Sequence, residues 1–527
     1  MKHLPNLLVA SALALSACNS APPTTDTAPT PPAAVTAASS PETAGRQVYD
    51  ALCAACHSGA DDTAPELATL RTFNHDRVST ALSDTGLMKL QAKMLTPEQR
   101  THVIAFITAP ATSDTQSATS TRMTAKEEYR EGYAYPVRSA RDERDSSDVP
   151  RPTAWAAPAL GDGPFSFESW EQRDLRVSIV TRGLTAPRAI EFMPDGSILI
   201  VERAGTLRVV RNGKLDPSPI AGTPAVAANL GIATGFMDVV LHPDFKANGL
   251  VYFSYHKARG DLGANAIFLG KWNGKEIVDG KDIFVSDDVD TFYSRMKFGA
   301  DGKLYASIGG PALGTDNSLI RAQRADDYGG KTLRLNDDGT APKDNPFFGR
   351  KDANPEIFTM GHRINLGMTL NPWTKELWAT ENGPNGGDEV NILRAGQNYG
   401  WPVVNDGRFY GGSKVSPVPV KDGITRPHIS YVPSIAPGGL VFYDGNKFPN
   451  WKGNLFVAAM RMGEVPRTGH IQRIVFNSKW EVVRNEMLLL DLHQRIRDVE
   501  QGPDGYLYAI TDEGADSVLL RLEPGLK

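Results

Sequence analysis

From about residue 175 onward the apolar positions fall in short runs, each led by a turn rich in Gly, Pro, Asp or Asn. Phe192-Met193-Pro194-Asp195-Gly196-Ser197-Ile198-Leu199-Ile200 is echoed by Leu241-His242-Pro243-Asp244-Phe245 running to Leu250-Val251-Tyr252 and by Phe298-Gly299-Ala300-Asp301-Gly302-Lys303-Leu304-Tyr305. It returns as Leu370-Asn371-Pro372 running to Leu377-Trp378, as Trp451-Lys452-Gly453-Asn454-Leu455-Phe456, and as Gln501-Gly502-Pro503-Asp504-Gly505-Tyr506-Leu507-Tyr508. A turn and strand recurring every roughly 50 to 80 residues is the pattern of sheets packed radially round a channel. Six copies predict an all-β six-bladed β-propeller over residues 173–527. The long amphipathic helices of a (β/α)8 barrel are missing between the copies.

Ahead of residue 173 the pattern changes. Met1-Lys2-His3, an apolar run from Leu7 to Leu15, and Ser16-Ala17-Cys18 describe a secretory signal over 1–17, too short to span a bilayer as a stable helix. Leu15-Ser16-Ala17-Cys18 also resembles the bacterial lipobox, which implies lipidation of Cys18, and Asn19 in place of Asp points to the outer membrane. The expectation is an exported chain on the periplasmic side of the envelope, held to the membrane by a lipid anchor only. Residues 18–43 are nearly all Ala, Pro, Thr and Ser and read as a tether. In 44–110 the apolar positions suit helices: Thr96 as N-cap, Pro97 at the first helical position and Gln99 three residues past the cap make a helix start. Residues 111–172 read as a polar linker with mixed charges, as in Arg138-Ser139-Ala140-Arg141-Asp142-Glu143-Arg144-Asp145.

Composition removes some functions. Among 527 residues, Lys+Arg 56 against Asp+Glu 61 leaves a net charge of -5, without the basic excess that a nucleic-acid partner requires. The 3 cysteines cannot form a disulfide framework. Two of them stand in Cys53-Ala54-Ala55-Cys56-His57, the c-type haem attachment motif: the thiols add across the haem vinyl groups and His57 is presented to the iron. A zinc site would need further ligands, and no other cysteine is available for one. The stretch from Ala44 to about Pro110 resembles a small, all-α class I cytochrome c, with Val103, Ile104 and Phe106 facing the haem. A thioether as sixth ligand raises the iron's potential. Met88, in Gly86-Leu87-Met88, matches the position of the axial ligand in such modules and is the assignment made here; Met94 is the alternative.

The later propeller copies carry more specific wording. Glu381-Asn382-Gly383-Pro384-Asn385-Gly386-Gly387-Asp388-Glu389-Val390-Asn391, then Asn398-Tyr399-Gly400-Trp401-Pro402, then Gln494-Arg495-Ile496-Arg497-Asp498-Val499 resemble the soluble PQQ-dependent sugar dehydrogenases, the glucose/sorbosone or aldose dehydrogenase family, over about Leu175 to Pro524. That resemblance implies pyrroloquinoline quinone (PQQ) on a Ca²⁺ held partly by the main-chain oxygens of Gly383 and Pro384, a donor type that suits a hard cation. It also implies Arg495, Arg497 and Arg461 on the PQQ carboxylates, Arg363 near the quinone, and Ser434 reaching the cofactor. Glu389 and the Tyr399 carbonyl resemble a second, structural Ca²⁺ site.

The chain departs from the family where a proton must be taken. The family's basic histidine aligns with Thr291, in Asp290-Thr291-Phe292-Tyr293-Ser294-Arg295-Met296, and a threonine hydroxyl is no base near neutral pH. The family's Arg-Asn-Pro-Gln becomes Arg363-Ile364-Asn365-Leu366, and a glutamine aligns with Ala233. One reading is a PQQ oxidoreductase of a sugar or alcohol with Asp290 or His362 as base, unloading electrons through its haem to a respiratory or periplasmic acceptor. A second is a propeller that binds PQQ, a sugar or another ligand without turnover. A third is metal-assisted hydrolysis, disfavoured by the lack of an evident carboxylate and histidine cage. The fusion favours the first, because a two-electron dehydrogenase must unload electrons singly and a haem on the same chain does so at high effective concentration.

Overall fold

Every repeated turn in the sequence is the hairpin between the first two strands of one sheet. The computed structural model of the chain describes residues 41–57, 67–71, 73–83, 88, 92–109, 159–227, 234–259, 262–286, 291, 293–310, 320–409, 414–463, 465–512 and 516–525. Five four-stranded antiparallel sheets and one five-stranded sheet form the propeller. Blades 1 to 5 span 187–215, 236–285, 296–360, 365–431 and 437–488, and blade 6 combines 496–524 with Leu175–Leu184 and Phe165–Phe167. Leu175–Leu184 pairs with Ser517–Pro524, so a strand from the start of the propeller closes the ring on its last one and removes two open edges.

The turns share one device. The Asp195 carboxylate accepts from the Ser197 amide at 2.9 Å, Asp301 from Lys303 at 3.1 Å and Asp504 from Tyr506 at 3.2 Å, while Asn371 accepts from Trp373 at 2.9 Å. Gly196 and Gly505 follow with φ of 84° and 82°, a region open to glycine at little cost. Apolar residues bury between neighbouring blades; Trp378 of blade 4, fully buried, meets Phe442 of blade 5 edge-on at 5.1 Å.

The six innermost strands, Pro187–Phe192, Phe236–Leu241, Met296–Phe298, Asn365–Leu370, Pro437–Phe442 and Ile496–Gln501, surround a channel crossed by a buried charge cluster. Arg295 lies at its centre. Its guanidinium reaches Asp238 of blade 2 at 3.1 Å, Asp498 of blade 6 at 2.6 Å and the Leu366 carbonyl of blade 4 at 2.7 Å. Asp498 in turn accepts from the Ile190 amide of blade 1 at 3.0 Å. In blade 5 a Cβ on Gly439 would stand 1.5 Å from the Asp498 carboxylate, so only glycine leaves room for the pair.

The linker expected through residue 172 ends earlier. Phe165 and Phe167 pack on the blade 6 core, their strand pairs with Leu175–Val177, and Glu486 accepts from Ser169 at 3.1 Å and from the Trp170 amide at 2.9 Å. Alternating Phe-Ser-Phe buries one strand face, which outweighs the polar surroundings.

The regular elements among the described residues of 41–109 are all helical. Pro41–Val48 runs into a π-helical turn, Tyr49–Cys53, then Ala54–His57; Leu67–Leu70, His75–Ala81 and Pro97–Thr108 follow. The capping box is formed: Thr96 Oγ1 accepts from the Gln99 amide at 3.2 Å and Gln99 Oε1 from the Thr96 amide at 3.0 Å. The chain enters the haem motif through the π-wound turn that ends at Cys53, with i→i+5 bonding that the residue types do not announce, and continues through the motif as the α-helical Ala54–His57. Gly45 lets two helices touch, since a Cβ there would meet the His102 carbonyl at 2.1 Å. Cys53, Val103, Ile104 and Phe106 are buried in one apolar cluster, against which both Met88 and Met94 pack. No helix among the described residues is long and apolar enough to cross a membrane.

Candidate active site

One face of the ring gathers the sequence-predicted residues, for a topological reason. In each blade the first residues of the innermost strand pair with the last residues of the second strand: Pro187 with Glu202, Phe236 with Tyr255, Met296 with Ala306, Asn365 with Glu381, Pro437 with Ala459 and Ile496 with Thr511. The loops entering the inner strands therefore share a face with those leaving the second strands. Thr291, Arg363, Ser434 and Arg495 precede inner strands, Arg188 and Arg497 open them, and Arg203, Gly383, Pro384, Arg461 and Asp512 follow second strands.

The Gly383–Asp388 loop is tightly built. A Cβ on Gly383 would meet the Gly386 carbonyl at 2.3 Å. Asp388, buried, accepts from the Gly383 amide (2.7 Å), Ser434 Oγ (3.1 Å) and the Ile435 and Ala436 amides (both 2.7 Å), joining blades 4 and 5. Burial pushes its carboxyl up to about 6 against the four donors that favour the charged form. Ser434 Oγ also accepts from the Gly386 amide at 2.8 Å, so it braces the loop. Arg363, buried over the Trp401 ring at 5.3 Å, donates to the carbonyls of Asn382 and Gly383, both at 2.9 Å. The Gly383 and Pro384 carbonyls are the donor type a hard cation takes, and each already accepts one bond, Gly383 from Arg363 at 2.9 Å and Pro384 from Ser434 Oγ at 3.5 Å, which leaves each a second lone pair.

His362 is not the alternative base. It is fully buried, its Nδ1 stands 2.8 Å from Glu381 Oε2 and its Nε2 2.9 Å from Thr359 Oγ1. A carboxylate only accepts, so Nδ1 carries the proton and Nε2 takes the threonine's; no lone pair remains for a substrate. Stacked on Tyr399 at 4.7 Å, it holds Glu381, which also accepts from the Arg363 amide at 2.6 Å. Glu389 is buried beside Glu381, and Asn391 Nδ2 bridges the two at 2.9 and 3.2 Å. Burial, then the Glu381 charge, raise the Glu389 carboxyl well above the carboxylate range. The two carboxylates offer oxygen donors of the kind a hard cation takes, while no group of three or more His, Cys, Asp or Glu that could hold a metal ion occurs among the described residues. The structure shows the Tyr399 hydroxyl donating to the Ile392 carbonyl at 2.5 Å.

Thr291 is fully buried, with its hydroxyl 3.4 Å from the Asn265 amide and its carbonyl bonded to His256 Nε2. Burial pushes the His256 imidazole down to about 4. Asp290 and Ala233 lie outside the described residues, as do Cys18 and the side chain of Cys56.

The cations converge round one acid. Arg497 donates to Asp512 through Nε at 2.9 Å and through Nη2, and Arg495 Nη2 lies 3.4 Å from Met460 Sδ, next to the half-buried Arg461. Burial would raise the Asp512 carboxyl, but Arg497, Arg188 and Arg495 overcome it and hold the group well below the usual range. Arg188, buried, sits 5.9 Å from the Tyr293 ring; burial and the like charge of Arg497 push it down to about 10. Sequence reasoning missed Arg188, Arg203, Asp388 and Asp512. Asp388 stood inside the quoted motif, whereas Arg188 and Arg203 had no spacing signal at all.

The profile of the glucose/sorbosone dehydrogenase family matches residues 184–521. The aldose sugar dehydrogenase YliI of Escherichia coli is 36% identical over 381 residues, covering 70% of this chain and 95% of that protein. Quinoprotein glucose dehydrogenase B of Acinetobacter calcoaceticus is 25% identical over 428 residues, 66% of this chain and 88% of that one. The apo-form crystal structure of the soluble aldose sugar dehydrogenase from Escherichia coli superposes with a TM-score of 0.61 at 34% identity, covering 66% of this chain and 99% of that one. The six-bladed ring and these relatives make the protein a propeller oxidoreductase. It belongs to the glucose/sorbosone dehydrogenase family.

Proposed function

We propose that the chain is an exported, haem-carrying quinoprotein that oxidises a sugar or alcohol with PQQ and passes the electrons through its own haem to a respiratory or periplasmic acceptor. The observation that carries this reading is the convergence of Arg363, Arg461, Arg495 and Arg497 on the face that bears the Gly383 and Pro384 carbonyls. PQQ bound there supplies a quinone that takes a hydride from the alcohol carbon. The chain's residues do the rest. Arg461, Arg495 and Arg497 offer guanidinium forks to carboxylates, Asp388 and Ser434 fix the Gly383–Pro384 loop, and Arg363 is locked above Trp401. Asp290 takes the hydroxyl proton as the hydride leaves, since His362 and Thr291 are both committed elsewhere.

Cys53 and Cys56 hold a haem with His57 and Met88 on the iron, supplying one-electron uptake. The shared burial of Cys53 and His57, with Met88 packed on the same cluster, supports this assignment. Lipidation at Cys18 and the tether to residue 43 keep the enzyme at the envelope. The second reading, binding without turnover, draws on the buried Thr291 and Ile364 where the family pattern has polar groups.

Calorimetry with PQQ, with and without Ca²⁺, coupled to dye-linked turnover of a panel of aldoses and alcohols, separates the two. Ca²⁺-dependent PQQ binding with turnover is expected. PQQ binding with no turnover across the panel would select the second reading.

A further inference from the structure

The chain joins the propeller through a fastened strap, residues 159–172. Within it Phe165–Phe167 runs antiparallel to Leu175–Leu184, with Phe165 opposite Val177 and Phe167 opposite Leu175. Leu175 pairs with Pro524 at the face of the hairpin turns, whereas Leu184 pairs with Ser517 at the active face, the one that carries Arg495, Asp512 and the Gly383–Asp388 loop. The strap therefore runs away from the active face, and its upstream end lies towards it. Arg182, near the active-face end of its strand, clamps that end: Nη2 donates to the Leu160 carbonyl at 2.8 Å and to the Gly161 carbonyl at 2.6 Å, while Leu160 packs on the blade 6 core. The downstream end is bolted by charge. Glu171 pairs with Arg484 and with the fully buried Arg473, and its carbonyl accepts from Asn450 Nδ2 at 3.3 Å. Covering the open edge of Leu175–Leu184 accounts for the short strand. It does not account for the clamp at Leu160 and Gly161, which lies beyond the strand and holds the incoming chain at the active face.

We propose that the strap fixes the entry of the linker at the active face, so that the chain's own haem-motif unit, residues 41–109, docks over that face and takes the electrons there. The unit ends at Ala109 and the strap begins at Ala159, so the chain between them is tied to the propeller at the Arg182 clamp. A tether raises the effective concentration of its cargo within its reach, and entry at the opposite face would put the thickness of the ring between haem and quinone. The inference rests on the proposed relay for its redox chemistry and on the strap for its geometry. Ferric haem iron takes one electron at a time from the reduced quinone and becomes ferrous. Two such steps empty the quinone, whose two protons pass to water, and a one-electron acceptor outside the chain reoxidises the iron each time.

The test reads position and rate separately on the full chain. A fluorophore on Thr185→Cys, exposed at the active face, or on Lys452→Cys, exposed in the blade 5 hairpin of the opposite face, loses energy to a nearby haem. The same labels on chains with Cys53→Ala and Cys56→Ala, which cannot attach haem, give the unquenched lifetimes. Quenching about twofold or more stronger at Thr185→Cys than at Lys452→Cys is expected, with or without PQQ. Arg182→Ala, and separately Phe165→Ser with Phe167→Ser, should bring the two labels to equal quenching. Loaded with PQQ and Ca²⁺, these variants should reduce their haem about fivefold more slowly while dye-linked turnover is unchanged. Arg182→Ala removes a part-exposed side chain and guards against a double variant that fails to fold. Equal quenching from the two faces with the strap intact would overturn the proposal, as would a bias that survives both releases. A quenching bias with no sugar or alcohol oxidised would fail the dehydrogenase reading and leave the docking standing. Absence of covalent haem, seen before labelling as a missing Soret band, would fail the relay reading and the docking together.

Discussion

Replacing Arg295 with methionine is expected to cost about 3–5 kcal/mol of stability, the penalty for leaving buried carboxylates without their cation. Arg295 ties blades 2, 3, 4 and 6 together, and Asp498 extends the link to blade 1. In the variant Asp238 and Asp498 remain buried and keep only amide donors, from Met296, Val239, Ile190 and Val499. Burial already raises both carboxyls above their ordinary range while Arg295 opposes it, so removing the arginine raises them further. A group whose folded pKa is raised binds more protons folded than unfolded, and folding then gains as the pH falls towards the unfolded value of about 3.9. The deficit of Arg295→Met should therefore be largest near neutral pH and shrink on mild acidification. Unfolding in urea followed by tryptophan fluorescence at several pH values checks this. A deficit independent of pH would mean that lost packing, not stranded charge, is responsible.

Asp290→Asn is expected to lower turnover by about 10²- to 10⁴-fold while leaving PQQ affinity intact, the signature of a lost general base. The Thr291 hydroxyl accepts from the Asn265 amide, and both nitrogens of His362 are engaged by Glu381 and Thr359. Asp290 is the acidic residue adjoining the position where the family's base aligns, and asparagine keeps its size while abolishing its basicity. Dye-linked turnover and PQQ calorimetry on the same preparation provide the two readouts. Normal turnover in Asp290→Asn would remove the residue from the mechanism.

The blades were legible because their turns use side-chain chemistry that leaves a residue-level mark: Asp195, Asp301 and Asp504 each bond an amide two residues on. Arg495 and Arg497 were legible through the wording around them. What could not be read was partnership across the ring. Nothing near Arg295 announces Asp238 or Asp498, 57 and 203 positions away. His362 looked available because its residue type was visible and its engagement by Glu381, 19 positions later, was not. Arg188 is a single arginine at a strand start, and only the closure of the ring sets it beside Arg497 and Tyr293. The strand Phe165–Phe167 was hidden by polar flanks, and its reason for being ordered is a partner in blade 6.

The central claim, that electrons from a sugar pass through PQQ to the haem of the same chain, is tested most directly by rapid mixing. The full chain, loaded with PQQ and Ca²⁺ and free of oxygen, is mixed with an oxidisable sugar while reduced-haem absorption is followed. The account predicts first-order haem reduction that requires both PQQ and Ca²⁺ and whose rate does not change with protein concentration. Haem that stays oxidised while an added dye is reduced, or a rate that rises in proportion to protein concentration, would contradict it.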